Sequence, residues 1–294
     1  MNFLDYVAEQ QQIVDSALER LIPGELQPPE IIHRAMRYSL FAGGKRIRPL
    51  LCLSAARTVS ETAPGAEIAA CALECIHTYS LIHDDLPALD NDDFRRGRPT
   101  CHKQFGEAMA ILTGDALLTI AFQLLSEAPG VADDRKVRLI AELSTAAGTA
   151  GGMIGGQVAD LEGERQPPTA ELLDRIHRAK TGALLRASVR MGAICAGAGE
   201  SELAALTCYG EHIGLAFQIV DDILDVEQSS EALGKTAGKD AQQHKITFPA
   251  VYGLAESHRM AGQECESACR ALVPFGDRAL RLRQIAELVV ERKK

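Results

Sequence analysis

Apolar positions along this chain return at helical spacing almost from the first residue. Leu4, Val7, Val14, Leu18 and Leu21 fall three, four or seven apart and predict a helix over residues 3–21. Pro23-Gly24 and Pro28-Pro29 interrupt the pattern, and Pro29 can open a second helix through Ile31, Ile32, Met36, Tyr38 and Leu40 that stops at Gly43-Gly44. Further helical runs cover 50–59, 68–83, 105–125, 137–150, 203–226 and 280–290. Another opens at Pro167-Pro168-Thr169 and continues through Ile176 and Leu185 towards Met191. No stretch shows the period-two alternation of a half-buried strand, and no linker or repeat divides the chain. The pattern predicts one all-α domain over residues 1–294.

Composition agrees. Hydrophobic residues make up 46% and aromatics only 4%, with no Trp; short and straight-chain side chains lose little freedom in a helix. A net charge of −9 argues against nucleic acid as a partner for the whole surface. It does not exclude an anionic ligand in a cleft with its own cations. The eight cysteines contain no C-x₂-C pair, and Cys71/Cys75 and Cys265/Cys269 are helical steps. They read as reduced thiols of a cytoplasmic protein. The start of the chain lacks a basic segment followed by an apolar one, and no unbroken apolar run predicts a transmembrane segment.

Chemistry concentrates where apolar runs end. The run over 68–83, interrupted only by Glu74 and His77, leads into Asp84-Asp85-Leu86-Pro87-Ala88-Leu89-Asp90, and Arg95-Arg96-Gly97 follows closely. A second apolar run ends in Asp221-Asp222-Ile223-Leu224-Asp225. Two such clusters suggest facing acidic walls around a hard divalent cation, and Mg²⁺ suits a few carboxylates plus substrate phosphates. Asp221 and Asp225 share a helix face. Asp84 and Asp90 would lie about 120° apart on an unbroken helix. Pro87 predicts a helix end near Asp85 or Leu86, with Asp90 returning from a loop.

Other features are more open. Gly43-Gly44-Lys45-Arg46-Ile47-Arg48 fits either a phosphate cradle or a helix C-cap with solvated cations. His77 is either a core histidine or, two turns before Asp84, a site residue. Asp115 lies in an apolar field and reads as buried and structural. The glycines of 151–156 suggest close helix packing, with Gln157 and Asp160 as lesser site candidates. Lys180, on an apolar face, needs a partner. The Gly- and Lys-rich stretch from Gly234 to Lys245 is no P-loop and is a candidate lid.

Taken in order, Gly-Gly-Lys-Arg-x-Arg-Pro, Asp-Asp-x₄-Asp with Arg-Arg-Gly, Gly-Gly-Gln, Lys-Thr-Gly, Phe-Gln-x₂-Asp-Asp-x₂-Asp and a downstream Gly-Lys closely resemble the bacterial trans-prenyl diphosphate synthases, farnesyl diphosphate synthases above all. The resemblance runs from about residue 28 to the end. It implies the all-α isoprenoid-synthase fold, with helices around a deep central cavity, a homodimer, and Mg²⁺ held by Asp84, Asp85, Asp90, Asp221, Asp222 and Asp225. It implies an allylic diphosphate (dimethylallyl or geranyl) bound by Arg95, Lys180, Thr181, Gln218, Lys235 and Lys245. Isopentenyl diphosphate would be held by Gly44, Lys45, Arg48, His77 and Arg96. Carbonyl groups of Lys180 or Thr181 and Gln218 would stabilise the carbocation. Tyr79 and Ser80 would set product length, an aromatic at this place accompanying C15 product. A C20 synthase, a class I terpene cyclase and a non-catalytic subunit are the competing readings. The intact aspartate and cation motifs speak against the last two.

Overall fold

A computed structural model describes residues 2–227 and 245–292. The chain runs through α1 (Phe3–Leu21), α2 (Glu30–Leu40), α3 (Ile47–Val59), α4 (Ala66–Asp84), a short hairpin of β1 (Phe94–Arg95) and β2 (Arg98–Pro99), α5 (Cys101–Phe105), α6 (Glu107–Ser126), α7 (Asp133–Ala147), α8 (Met153–Gly163) and α9 (Ala170–His177). A π-helical turn (Arg178–Gly182) joins α9 to α10 (Ala183–Cys195). Then come α11 (Glu200–Glu227), α12 (Phe248–Tyr252), α13 (Leu254–Ala271), a 3₁₀ segment (Val273–Ala279) and α14 (Leu280–Glu291). The fold is all-α, as expected.

The stretch over residues 69–76, apolar but for Glu74, becomes the centre of the bundle. A helix that is apolar all round has no face to offer water, so it is enclosed. Ala69, Ala70, Cys71, Ala72, Leu73, Cys75 and Ile76 of α4 are all fully buried, with α1, α2, α3, α6 and α10 packed about them. Glu74, the charge within this stretch, is buried too and meets the Arg46 guanidinium at 2.6 Å. Arg46 also bonds Asp15 (3.0 Å) and the Leu40 carbonyl (2.7 Å), so one side chain ties α4 to α1 and to the end of α2. Removing one partner of a buried pair strands the other charge, at a cost of about 3–5 kcal/mol. Glu74→Ala is therefore expected to lower the urea midpoint markedly; an unchanged midpoint would remove Arg46 from the framework.

A second contact explains the glycine-rich stretch. A Cβ at Gly156 would lie 2.5 Å from the Lys180 Cα, so the absence of a side chain lets α8 lie directly on the π turn. Close packing between elements is the use of Gly156, whereas Gly152 and Gly155 face the backbone of 145–149 and Gly151 sits at φ +71° in open space.

The structure departs from the sequence expectations in several places. Pro29 caps α2 rather than opening it. α3 starts at Ile47 because Pro49 falls in the first turn, where a missing N–H costs nothing. Gly106, at φ +88°, leaves Phe105 at the end of α5, so the helix expected over 105–125 starts at Glu107 as α6. Asp115 is exposed on α6, not buried. The β1–β2 ladder and α13 were not anticipated. Two helices, Glu107–Ser126 and Glu200–Glu227, are long and apolar enough to cross a membrane by length and composition, although no unbroken run suggested one. Both lie within the bundle, α6 against α4 and α11 against α10 and α13.

Candidate active site

The end of α4 forms the first wall. Leu86 N–H bonds the His83 carbonyl at 3.1 Å, Pro87 has no N–H to continue the ladder, and the chain turns back. Asp90 N–H then bonds the Asp84 carbonyl at 2.8 Å, which brings together two carboxylates that a continuous helix would part. The last helical residue is Asp84, with Asp85 as the cap. Burial raises the Asp84 carboxyl to about 6; Lys180 opposes this and Asp90 adds to it. Asp85 points elsewhere, accepting from Arg95 Nε at both oxygens (2.8 and 2.9 Å) and from Nη2 at Oδ1 (2.5 Å).

Opposite stands α11. Gln218 accepts from the Thr181 hydroxyl at 2.7 Å and donates to Asp222 Oδ1 at 2.7 Å. Asp222 Oδ2 accepts the Phe248 N–H at 2.9 Å and lies 3.6 Å from His177, whose ring stacks on Phe248. Asp221 meets Arg292 at 2.6 Å, and Arg292 also donates to the Phe217 carbonyl and lies over the Phe217 ring. Lys180 pairs with Asp160 at 2.6 Å, and Lys245 with Asp90 at 3.3 Å.

Between the walls is a cavity of about 620 Å³, lined by Asp84, Asp90, Asp221, Asp222, Lys180, Lys245, Thr181 and Gln218. Tyr79, Ser80 and an apolar strip of α8 (Met153, Ile154, Val158, Leu161) line it too. A cationic corner is made by Arg48 and Arg96, with His77 in the same lining. Burial pulls Arg48 down to about 10, with Glu74 and Asp221 opposing and Arg96 reinforcing. Burial, then Arg48 and Arg96, hold His77 well below its ordinary value, so it is neutral. Arg48 Nε is buried with no hydrogen-bond partner among the described residues. Gathered cations with an unsatisfied N–H make a site for an anion.

The hairpin sets the two arginines apart. Arg96 and Gly97 both have positive φ (+53° and +74°) at its turn, so Arg95 reaches Asp85 while Arg96 swings to the Gly43 carbonyl. A Cβ at Gly44 would sit 2.6 Å from the Arg96 Cζ. Gly44 thus makes room for Arg96.

The polyprenyl synthetase family model matches residues 29–271. The chain is 48% identical over 292 residues to the farnesyl diphosphate synthase of Geobacillus stearothermophilus, covering 98% of this chain and 97% of that one. It is 45% identical over 293 residues to the geranylgeranyl diphosphate synthase of Cyanophora paradoxa, covering 99% and 97%. The crystal structure of an FPP/GFPP synthase from Zymomonas mobilis superposes with a TM-score of 0.88 at 36% identity, covering 98% and 99%. This chain belongs to the polyprenyl synthetase family. Its activity is that of a trans-prenyl diphosphate synthase.

Polyprenyl synthetases bind diphosphate with Mg²⁺, and the residues here fit that ion. The cavity offers the carboxylates Asp84, Asp90 and Asp221, with Asp84 penalised for its buried charge, a penalty a cation would relieve. Among the described residues no three such groups converge tightly enough to enclose a metal. Mg²⁺ is usually held by one or two carboxylates together with waters and substrate phosphates.

Not every expected site residue faces the cavity. Asp85 and Asp225 do not line it, and Asp85 is bound to Arg95. Asp222 lines it, and its two oxygens accept from Gln218 and from the Phe248 N–H, which joins α11 to the Phe248 segment. Lys45 is exposed and off the lining. Lys235, and the lid stretch as far as His244, lie outside the described residues. Three participants escaped sequence reading: Arg292, His177 and the role of Asp160. Arg292 belonged to a visible basic tail, but nothing in its spacing tied it to Asp221.

Proposed function

We propose that this chain is a single-domain, Mg²⁺-dependent (2E,6E)-farnesyl diphosphate synthase that condenses isopentenyl diphosphate with dimethylallyl and then geranyl diphosphate, releasing pyrophosphate. The observation that carries the C15 product is Tyr79: a buried aromatic lining the cavity about one turn deeper than Asp84.

The chemistry follows from the walls. Asp84, Asp90 and Asp221 would hold Mg²⁺, which supplies neutralisation of the leaving pyrophosphate. Lys180 and Lys245 add positive charge on the same side, within the cavity that Asp160 and Asp90 share with them. As the allylic C–O bond breaks, carbonyl dipoles of Lys180 or Thr181 and of Gln218 would stabilise the developing carbocation. Arg48, Arg96 and His77 hold isopentenyl diphosphate with its double bond towards that cation. After C–C bond formation the adjacent proton leaves to the departing pyrophosphate. The apolar strip of α8 would give the cation a wall with no nucleophile. α6 exposes Ile111 and Leu112 side by side, an apolar surface that suits a homodimer.

Incubation of labelled isopentenyl diphosphate with each allylic primer, with and without Mg²⁺, tests this reading. C15 alcohol after dephosphorylation is expected; C20 accumulation would mean a geranylgeranyl diphosphate synthase. Arg48→Ala is expected to raise KM for isopentenyl diphosphate about 10–100-fold, the worth of a hydrogen bond to a charged group. KM for the allylic partner should hold steady; equal rises in both would dissolve the two-site assignment.

A further inference from the structure

On α4, Tyr79 and His83 stand one turn apart on one face. Their rings meet edge to face, centroids 5.8 Å apart at 79°. Both line the cavity, and no lining residue comes from α6. Of these two rings, His83 is the one that reaches α6 directly.

His83 is pinned on its far side. Its Nε2 lies 3.1 Å from the Ile111 carbonyl of α6. A carbonyl only accepts, so Nε2 carries the proton. The ring reaches that carbonyl because residue 114 is glycine: a Cβ there would lie 2.5 Å from His83 Cδ2 and 2.7 Å from Cε1, with Nε2 closer still. All three atoms belong to one rigid ring. It cannot step aside without leaving Ile111 or pressing on Tyr79.

We infer that His83, held back by the notch at Gly114, is a second determinant of product length, acting beside Tyr79. The inference rests on the prenyl synthase reading above and concerns how its cavity is bounded. With the notch filled, the imidazole moves off α6 towards the cavity and shortens the space for the growing chain. With the imidazole removed, the space extends through the notch to α6. Two substitutions on different helices thus shift the product in opposite directions, which a loss of folding or of general activity cannot do.

The test uses the purified full-length enzyme with isopentenyl and dimethylallyl diphosphates, and chromatography of the dephosphorylated products. Gly114→Ala is expected to raise the C10-to-C15 ratio on the order of tenfold, the scale on which steric pockets discriminate. His83→Ala is expected to bring C20 up by a similar factor. His83→Gln, which keeps a donor for the Ile111 carbonyl, should restore the wild-type profile. If Gly114→Ala yields no folded protein, the two His83 variants decide the matter. Wild-type product ratios in active His83→Ala overturn the inference while leaving the functional reading in place. A wild-type enzyme that makes no prenyl product overturns both.

Discussion

Alanine at Asp84 is expected to cut turnover on the order of 10³-fold, about 4 kcal/mol in the barrier, with little change in thermal stability. The loop that returns Asp90 hangs on the backbone carbonyl of Asp84, not on its side chain, so the substitution leaves the turn in place. What it removes is a carboxylate whose charge burial makes costly. Such a charge is held for a cation. The Mg²⁺ concentration giving half-maximal activity should therefore rise as turnover falls, and chelation of the wild type should abolish activity reversibly. Asp85→Ala should behave differently, because it frees Arg95 and disturbs the hairpin. A titration in which Asp84→Ala keeps both the turnover and the Mg²⁺ requirement of the wild type would take the first cluster out of the chemistry.

Tyr79→Ala is expected to move the main product from C15 to C20. The ring is 5% exposed, and its hydroxyl is buried with no hydrogen-bond partner among the described residues, so it acts through volume. Burial accordingly raises the phenol to about 12. Truncation opens space along α4 about one turn deeper than Asp84, roughly the direction of the next isoprene unit. Tyr79→Phe keeps the volume and should keep C15. The pair of products, compared on one chromatogram, separates a steric floor from a polar role; C15 from Tyr79→Ala would sink the floor.

Local features of this molecule were legible in sequence because local physics decides them. α1 runs from Phe3 to Leu21, the limits its apolar spacing marked. Pro87 ended α4 and turned Asp90 back towards Asp84 for the reason a missing N–H supplies. Long-range pairings were not legible. Asp221 meets Arg292, and Arg46 reaches Glu74 and Asp15, through packing that no local spacing encodes. Asp115 misled because α6 is apolar on its exposed side as well, with Ile111 and Leu112 outward, so hydrophobic neighbours gave no sign of inside or outside. α13 hid for the opposite reason. Its buried positions are small, Ser257, Ala261 and Ala268, so its inward face lacks the large apolar residues that marked the other helices.

The π turn at Arg178–Gly182 gives the chain a phase shift of about one residue between two helices that would otherwise be one. α10 can thus keep its apolar face on α3 and α11 while the turn itself lies against Gly156 of α8. Lys180 and Thr181 fall within the shifted frame, and their side chains reach Asp160 and Gln218. Deleting a single residue here would restore a regular helix and rotate everything before it by about 100° relative to α10. The lysine and threonine would then lose their alignment with the aspartates across the cavity, although every one of those aspartates would still be in the sequence.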